Sequence, residues 1–176
     1  MKRMMLLLLP LVVLSCQNPA LQANSAEELI EPTQDSALYY LDLVDKSILA
    51  PNEYTLAAGH FIAADSLIKT QPEYLMKAGL TCMNQEGAFR LYGVNYLILL
   101  TNKFPQHEYA PQALMQLALF FDNVLNDSER ASEFLRALVA RYPENALVGD
   151  AQALLNLISV SETGEIEEVR NWLNKN

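Results

Sequence analysis

The chain has 176 residues, 51% of them hydrophobic and 19% charged, with a formal net charge of −9 at pH 7. That is enough for one folded domain with a core of its own. The acidic balance, with no basic run beyond the first residues, argues against nucleic-acid binding and against electrostatic attachment to anionic lipid.

Lys2 and Arg3 precede an apolar run from Met4 to Leu14. A spanning helix needs roughly twenty apolar residues, so residues 1–15 have the layout of a secretory signal. The run Leu11-Val12-Val13-Leu14-Ser15-Cys16 resembles a bacterial lipobox. The resemblance implies cleavage before Cys16 and acylation of that cysteine, palmitate included, which would tether the protein to a membrane without crossing it. The other reading is an ordinary signal peptide with an incidental cysteine. With Cys16 acylated, Cys82 has no partner in the chain, so it is expected to be a small buried hydrophobe. Residues 16–34 then form the lipidated cysteine and a flexible tether, whose sixteen or so residues would span roughly 20–25 Å. In some bacterial groups an acidic run directly after the lipidated cysteine is a surface-export signal. Gln17 to Ser25 carries no charge, which points to an outer-membrane anchor facing the periplasm.

Residues 35–176 read as helices throughout. Asp35 to Ala50 repeats Leu38, Leu41, Ile48 and Leu49, with Tyr39 and Val44, at helical spacing, and Pro51-Asn52 ends it, Asn52 being a cap for the next helix. The second helix, Glu53 to Lys69, places Ala57, Phe61 and Ala64 on one face. Pro72 suits the first turn of a short helix running to Met83. Ala88 to Lys103 carries one stripe of Phe89, Tyr92, Gly93, Tyr96, Leu97 and Leu100 and a second of Leu91, Val94 and Ile98, the pattern of a helix sandwiched between neighbours. Tyr109 to Leu125 and Ser128 to Arg141 make a hairpin about Asn126-Asp127. A fourth hairpin is expected from Asn145 to about Val160, with a turn through Ser161–Gly164 and a capping helix from Glu165 to Asn174, apolar only along Ile166, Val169, Leu173 and Trp172.

Lys103-Phe104-Pro105 and Arg141-Tyr142-Pro143 close two of these helices thirty-eight residues apart. Ahead of them Gly93, Leu97, Leu100 match Ala131, Leu135, Leu138 in kind and spacing. A period in this range belongs to stacked helical hairpins, none of which buries its apolar face alone. The pattern resembles the second helix of a tetratricopeptide repeat, and the stretch from Phe104 through Leu114 and on to Ala151 is similar to the envelope branch of that family, which includes repeat lipoproteins of outer-membrane assembly and Tol–Pal-associated proteins. The resemblance, strongest from Leu91 to Leu155, implies an all-α, right-handed superhelical stack of hairpins.

Little in the sequence argues for an enzyme. It has no HExxH, no zinc-type spacing, no glycine-rich phosphate loop and no GxSxG elbow. No catalytic residue, cofactor, metal or small-molecule substrate is therefore expected. His60 and His107 read as surface or boundary residues, and Asp42, Asp45, Glu165, Glu167 and Glu168 as solvated helix charges. In tetratricopeptide proteins the first helices of successive hairpins line a concave groove. If Leu114, Leu117, Ala118 and Phe121 point into the core, Gln112, Met115, Leu119, Asp122 and Asn123 face that groove, joined one period on by Asp150, Ala153 and Leu157. The expected function is a lipid-anchored adaptor that binds an envelope or membrane protein. The alternatives are a structural factor linking the outer membrane to peptidoglycan or the division machinery, and an enzyme using Cys82, with His60 as its base.

Overall fold

Three helices in this chain begin at a side-chain cap or a proline: Thr33, Pro72 and Asp127 mark their starts. The structure is a computed structural model; it describes residues 32–174, and for 161–163 and 165–173 the backbone alone. The signal segment, Cys16 and the tether up to residue 31 lie outside the described residues. So do the side chains of Ile166, Val169, Trp172 and Leu173.

All regular structure among the described residues is helical: α1 (Gln34–Asp45), α2 (Glu53–Ala63), α3 (Asp65–Ile68), α4 (Pro72–Met83), α5 (Ala88–Lys103), α6 (Tyr109–Asn123), α7 (Ser128–Arg141) and α8 (Val148–Leu173). Helices adjacent in sequence pack on one another as hairpins, α1 with α2, α4 with α5 and α6 with α7, and the hairpins stack in chain order through α2 on α4, α5 on α6 and α7 on α8. The first helices also touch in sequence, α1 with α4 and α4 with α6.

Local chemistry explains most boundaries. Thr33 caps α1 in a reciprocal box: its Oγ1 accepts from the Ser36 amide at 3.2 Å and its own amide donates to Ser36 Oγ at 2.8 Å. Asn126, at φ 51°, ends the α6 region, and Asp127 caps α7 by accepting from the Arg130 amide at 3.1 Å, as their sequence suggests.

Four expectations change. α1 stops at Asp45, five residues early, because Ser47 takes φ 54° and turns the chain, leaving Ile48 exposed and Leu49 buried. Asn52 makes no side-chain cap; instead Glu53 Oε2 accepts from the Ala50 amide at 2.6 Å. The second helix is interrupted at Ala64, where Tyr96 from α5 reaches in, its hydroxyl donating to Asp65 Oδ1 at 3.1 Å and lying 3.4 Å from the Phe61 carbonyl. Finally, α8 runs unbroken through Ser161–Gly164, so the fourth hairpin with its separate capping helix is absent. Glycine costs a helix interior only about 1 kcal/mol and no proline enforces a stop there.

The two Phe-Pro and Tyr-Pro stops prove to be the same structure built twice. Phe104 and Tyr142 leave the helix at φ −126°, ψ 54° and φ −132°, ψ 54°, each with its amide still bonded to the leucine four residues back. Amides then step onto carbonyls in matching order, His107 to Phe104 and Ala110 to His107 in one turn, Asn145 to Tyr142 and Val148 to Asn145 in the other. In each turn a side chain at the third position also receives the amide two residues on: Tyr109 N–H donates to His107 Nδ1 at 3.3 Å and Leu147 N–H to Asn145 Oδ1 at 3.0 Å. The turns are joined directly, since the Tyr142 hydroxyl donates to the Pro105 carbonyl at 2.8 Å.

The core runs along the stack. α5 is less enclosed than its two apolar stripes suggest: Gly93, Tyr96, Leu97 and Leu100 are buried, but Leu91 is 68% exposed. The helix enclosed on most sides is α4, where Leu75, Met76, Ala78, Gly79, Thr81, Cys82 and Met83 are all buried. α4 and α5 approach so closely at Gly79 and Gly93 that a Cβ on Gly93 would lie 2.2 Å from the Met83 amide nitrogen.

Candidate partner-binding cleft

Between α4, α6 and the turn entering α8 lies a cleft of about 400 Å³ lined by Met76, Gln112, Met115, Gln116, Asn145, Ala146 and Leu147. Its placement follows from the stack. Gln112, Met115 and Gln116 fall on one face of α6 by helical spacing, Met76 comes from the preceding first helix, and the Asn145 turn closes the far side. Met115 is buried and forms floor with Met76, whereas Gln112 and Ala146 are exposed at the rim. Among the described residues no ionisable side chain lines the cleft, which is unusual on a chain of net charge −9. Two thioethers give an adaptable apolar floor, and the carboxamides of Gln112 and Gln116 offer both donors and acceptors. Asn145 is already committed through its Oδ1 to the Leu147 amide, which stiffens the rim.

Leu114, Leu117, Ala118 and Phe121 are buried, as the groove expectation requires. Of the residues expected to share the groove, the structure brings only Gln112 and Met115 into this cleft. Leu119 and Asp122 instead border a gap of about 10 Å³ with Ala131, Leu135, Leu154 and Ile158, too narrow for a ligand and filled by the packing of α6, α7 and α8. Asp122 also accepts from Ser128 Oγ at 2.9 Å, so its carboxylate serves the α6–α7 connection. Asn123 and Asp150 are exposed and line neither cavity, and Ala153 and Leu157 lie exposed on α8, Leu157 by 70%. Sequence reasoning missed Met76, Gln116, Asn145, Ala146 and Leu147. Gln116 shares a face with Gln112 and was within reach of the helical spacing; Met76 enters from a helix forty residues upstream and gives no local signal.

A second cavity, of about 450 Å³, opens beneath the C-terminal end of α1, lined by Val44, Pro51, Tyr54, Leu80, Thr81, Asn84 and Gln85. Its walls come from α1, α2, their connection and the end of α4. Gln85 is held there by the Thr55 hydroxyl, which donates to its Oε1 at 2.7 Å.

The reactive side chains lie elsewhere. Cys82 is buried, its thiol directed at the Ala58 carbonyl with Sγ 3.9 Å away, and burial pushes its pKa up to about 12. A thiol so placed is almost wholly protonated near neutrality, opposite to what a nucleophile needs. His60 is buried, against expectation, and its Nδ1 sits 2.9 Å from Ser36 Oγ, so its ring is engaged with α1. His107 keeps its boundary position. Its Nδ1 accepts from Tyr109, so in the neutral ring the proton is on Nε2, facing Glu73 Oε1 at 3.3 Å and tying the α5–α6 turn to α4. Desolvation, then the Asp65 carboxylate, raises the Tyr96 phenol above its ordinary range. Among the described residues no cluster of three His, Cys, Asp or Glu side chains could hold a metal, and no helix is long and apolar enough to cross a membrane.

A scan of protein-family models finds no match to the chain, and searches of curated proteins and of solved structures find none either.

Proposed function

We propose that this protein is a lipid-anchored adaptor of the bacterial envelope, a stack of tetratricopeptide-like hairpins in a right-handed superhelix, held to the outer membrane through Cys16 and facing the periplasm. Its cleft at Met115 docks an uncharged, extended segment of a partner protein. The observation that carries this reading is the cleft itself. It is an apolar floor with carboxamides at its rim, on the first helices of adjacent hairpins, and among the described residues it has no ionisable lining group on an otherwise acidic chain. Such a lining suits a peptide that places an apolar side chain between Met76 and Met115 and turns main-chain groups toward Gln112 and Gln116. A charged segment would lose its hydration there without gaining an opposite charge. The lipobox-like Leu11–Cys16 stretch supports the anchor, and the matched turns at Phe104 and Tyr142 support the repeat assignment.

The test is photocrosslinking in the intact envelope with a reactive residue at Gln112, at Ala146, or at Leu91 on the exposed face of α5. Gln112 and Ala146 should give one shared adduct that maps to an uncharged stretch of a single protein, and Leu91 should not. Equal adducts from all three positions, or none from the first two while the protein remains membrane-bound, would rule the cleft out.

A further inference from the structure

We infer that the first hairpin is a proton-sensitive clasp: protonation of His60 releases α1 from α2 while the rest of the stack stays folded. The geometry begins with what α1 buries. Its buried residues are Ser36, Ala37, Tyr40 and Leu41, and two of these four meet the His60 ring directly. Ser36 Oγ lies 2.9 Å from Nδ1, and the Tyr40 ring stacks on the imidazole with centroids 4.7 Å apart and planes 26° from parallel. Toward its other end α1 borders the 450 Å³ cavity through Val44, with Leu43 and Val44 half-buried against the core and the exposed Asp45 reaching Lys77 at 2.9 Å. One titratable ring therefore meets two of the four buried residues of α1.

Ser36 has one proton to give. Its Oγ already receives the Thr33 amide and lies 2.9 Å from the Thr33 carbonyl, so it can donate either to that carbonyl or to His60. In the neutral ring both arrangements are open. An imidazolium carries N–H on both nitrogens, so only donation from Nδ1 to Ser36 survives, and the charge has to be carried by a hydroxyl in a buried site. Among the described residues no carboxylate forms an ion pair with the ring. The groups on the packed elements are engaged elsewhere: Asp45 of α1 with Lys77 of α4, Asp65 of α3 with Lys69 and with Tyr96 of α5, Glu73 of α4 with His107. Asp35 of α1 is exposed, and Cys82 of α4 faces the Ala58 carbonyl. The last turn of α2 favours a positive charge through its dipole, but desolvation outweighs it and lowers the His60 pKa. Because the folded pKa is lowered, the α1-bound state binds fewer protons than the open state. Its advantage is whole above the free-histidine pKa of about 6.5 and is lost as pH falls below it. Opening α1 takes the Ser36 hydroxyl and the stacked Tyr40 ring away from the imidazole, so local opening relieves the part of the penalty that α1 imposes.

Hydrogen exchange of the full chain from pH 8 to pH 5, corrected for intrinsic rates, tests this. Opening of the α1 amides should rise by up to about tenfold per pH unit below about 6.5 and level off at lower pH, with α5–α7 amides unchanged. His60→Gln, uncharged at every pH, should flatten the α1 response. Should that variant fail to fold, the His60 ring titration in the unmodified chain serves instead, since its midpoint must fall where the α1 response levels off. Loss of protection shared by all helices, α1 protection that does not change with pH, a persistent response in His60→Gln, or a His60 midpoint at or above 6.5 would each overturn the clasp.

Discussion

Gly93→Ala should lower stability by about 3 kcal/mol or more, even though alanine is the better helix former by about 1 kcal/mol. The added Cβ would lie 2.2 Å from the Met83 amide nitrogen and 2.6 Å from both the Gly79 carbonyl oxygen and Met83 Cα. All three are backbone atoms, so no rotamer change makes room, and α4 and α5 must separate along the most heavily packed interface of the stack. The same substitution at Gly59, in the middle of α2, meets nothing within 4 Å among the described residues and should stabilise by about 0.5–1 kcal/mol. Urea unfolding of the two variants beside the parent measures both. Gly79→Ala belongs between them, since its Cβ would meet Leu97 side-chain carbons, which can shift.

The second large effect falls on the repeat itself. Leu100 and Leu138 occupy the same place in the two repeated hairpins; each is fully buried, and each gives its carbonyl to the aromatic residue of the following stop. Truncating either to alanine should cost about 2–5 kcal/mol, the range for a buried leucine whose site cannot collapse. α5 packs against α4, α6 and α2, whereas α7 packs against α6 and α8 alone among its stronger neighbours, so Leu100→Ala should be the costlier change. Denaturation midpoints at unchanged m-value decide the order, and equal small losses at both positions would mean that the stops do not anchor the stack.

These two predictions also mark how far the sequence reaches. Where a boundary is set by residues beside it, it was legible: Pro72 at the start of α4, Lys103 and Arg141 at the ends of α5 and α7, Asn126-Asp127 between α6 and α7. The small residue at Gly93 was recognised as part of a period, although its reason, contact with the Met83 backbone, is a property of two helices together. Features set by distant partners were not legible. The break at Ala64 is met by the Tyr96 hydroxyl, more than thirty residues away, and the His60 ring is met by Ser36 and Tyr40. The continuity of α8 went the other way, since a run of Ser, Glu, Thr and Gly reads as a turn but forbids a helix at none of its positions.

The candidate site divides along the same line. Gln112 and Met115, expected on one face from helical geometry, lie on the face of α6 that meets the cleft. Carrying that face two turns further put Leu119 and Asp122 in the groove as well, but there they border a narrow gap shared with Leu154 and Ile158 of α8. Asp150 was reached by shifting Gln112 one period. The period holds for the turns, yet Asp150 is exposed on α8 and lines neither cavity, and Leu157 and Val160 are 70% exposed there. The missed Asn145 to Leu147 segment was available from the repeat, since it corresponds to His107 to Tyr109.

Ala146 offers the most direct test of docking at the cleft, because it is exposed on the rim, so a larger side chain can occlude the opening without entering the core. The measurement is the yield of the Gln112 photoadduct in the intact envelope, compared between the parent chain and Ala146→Trp at equal abundance and equal thermal stability. Docking at Met115 predicts a fall of at least about tenfold, corresponding to about 1.4 kcal/mol of lost binding. An adduct of the same partner at undiminished yield would contradict it.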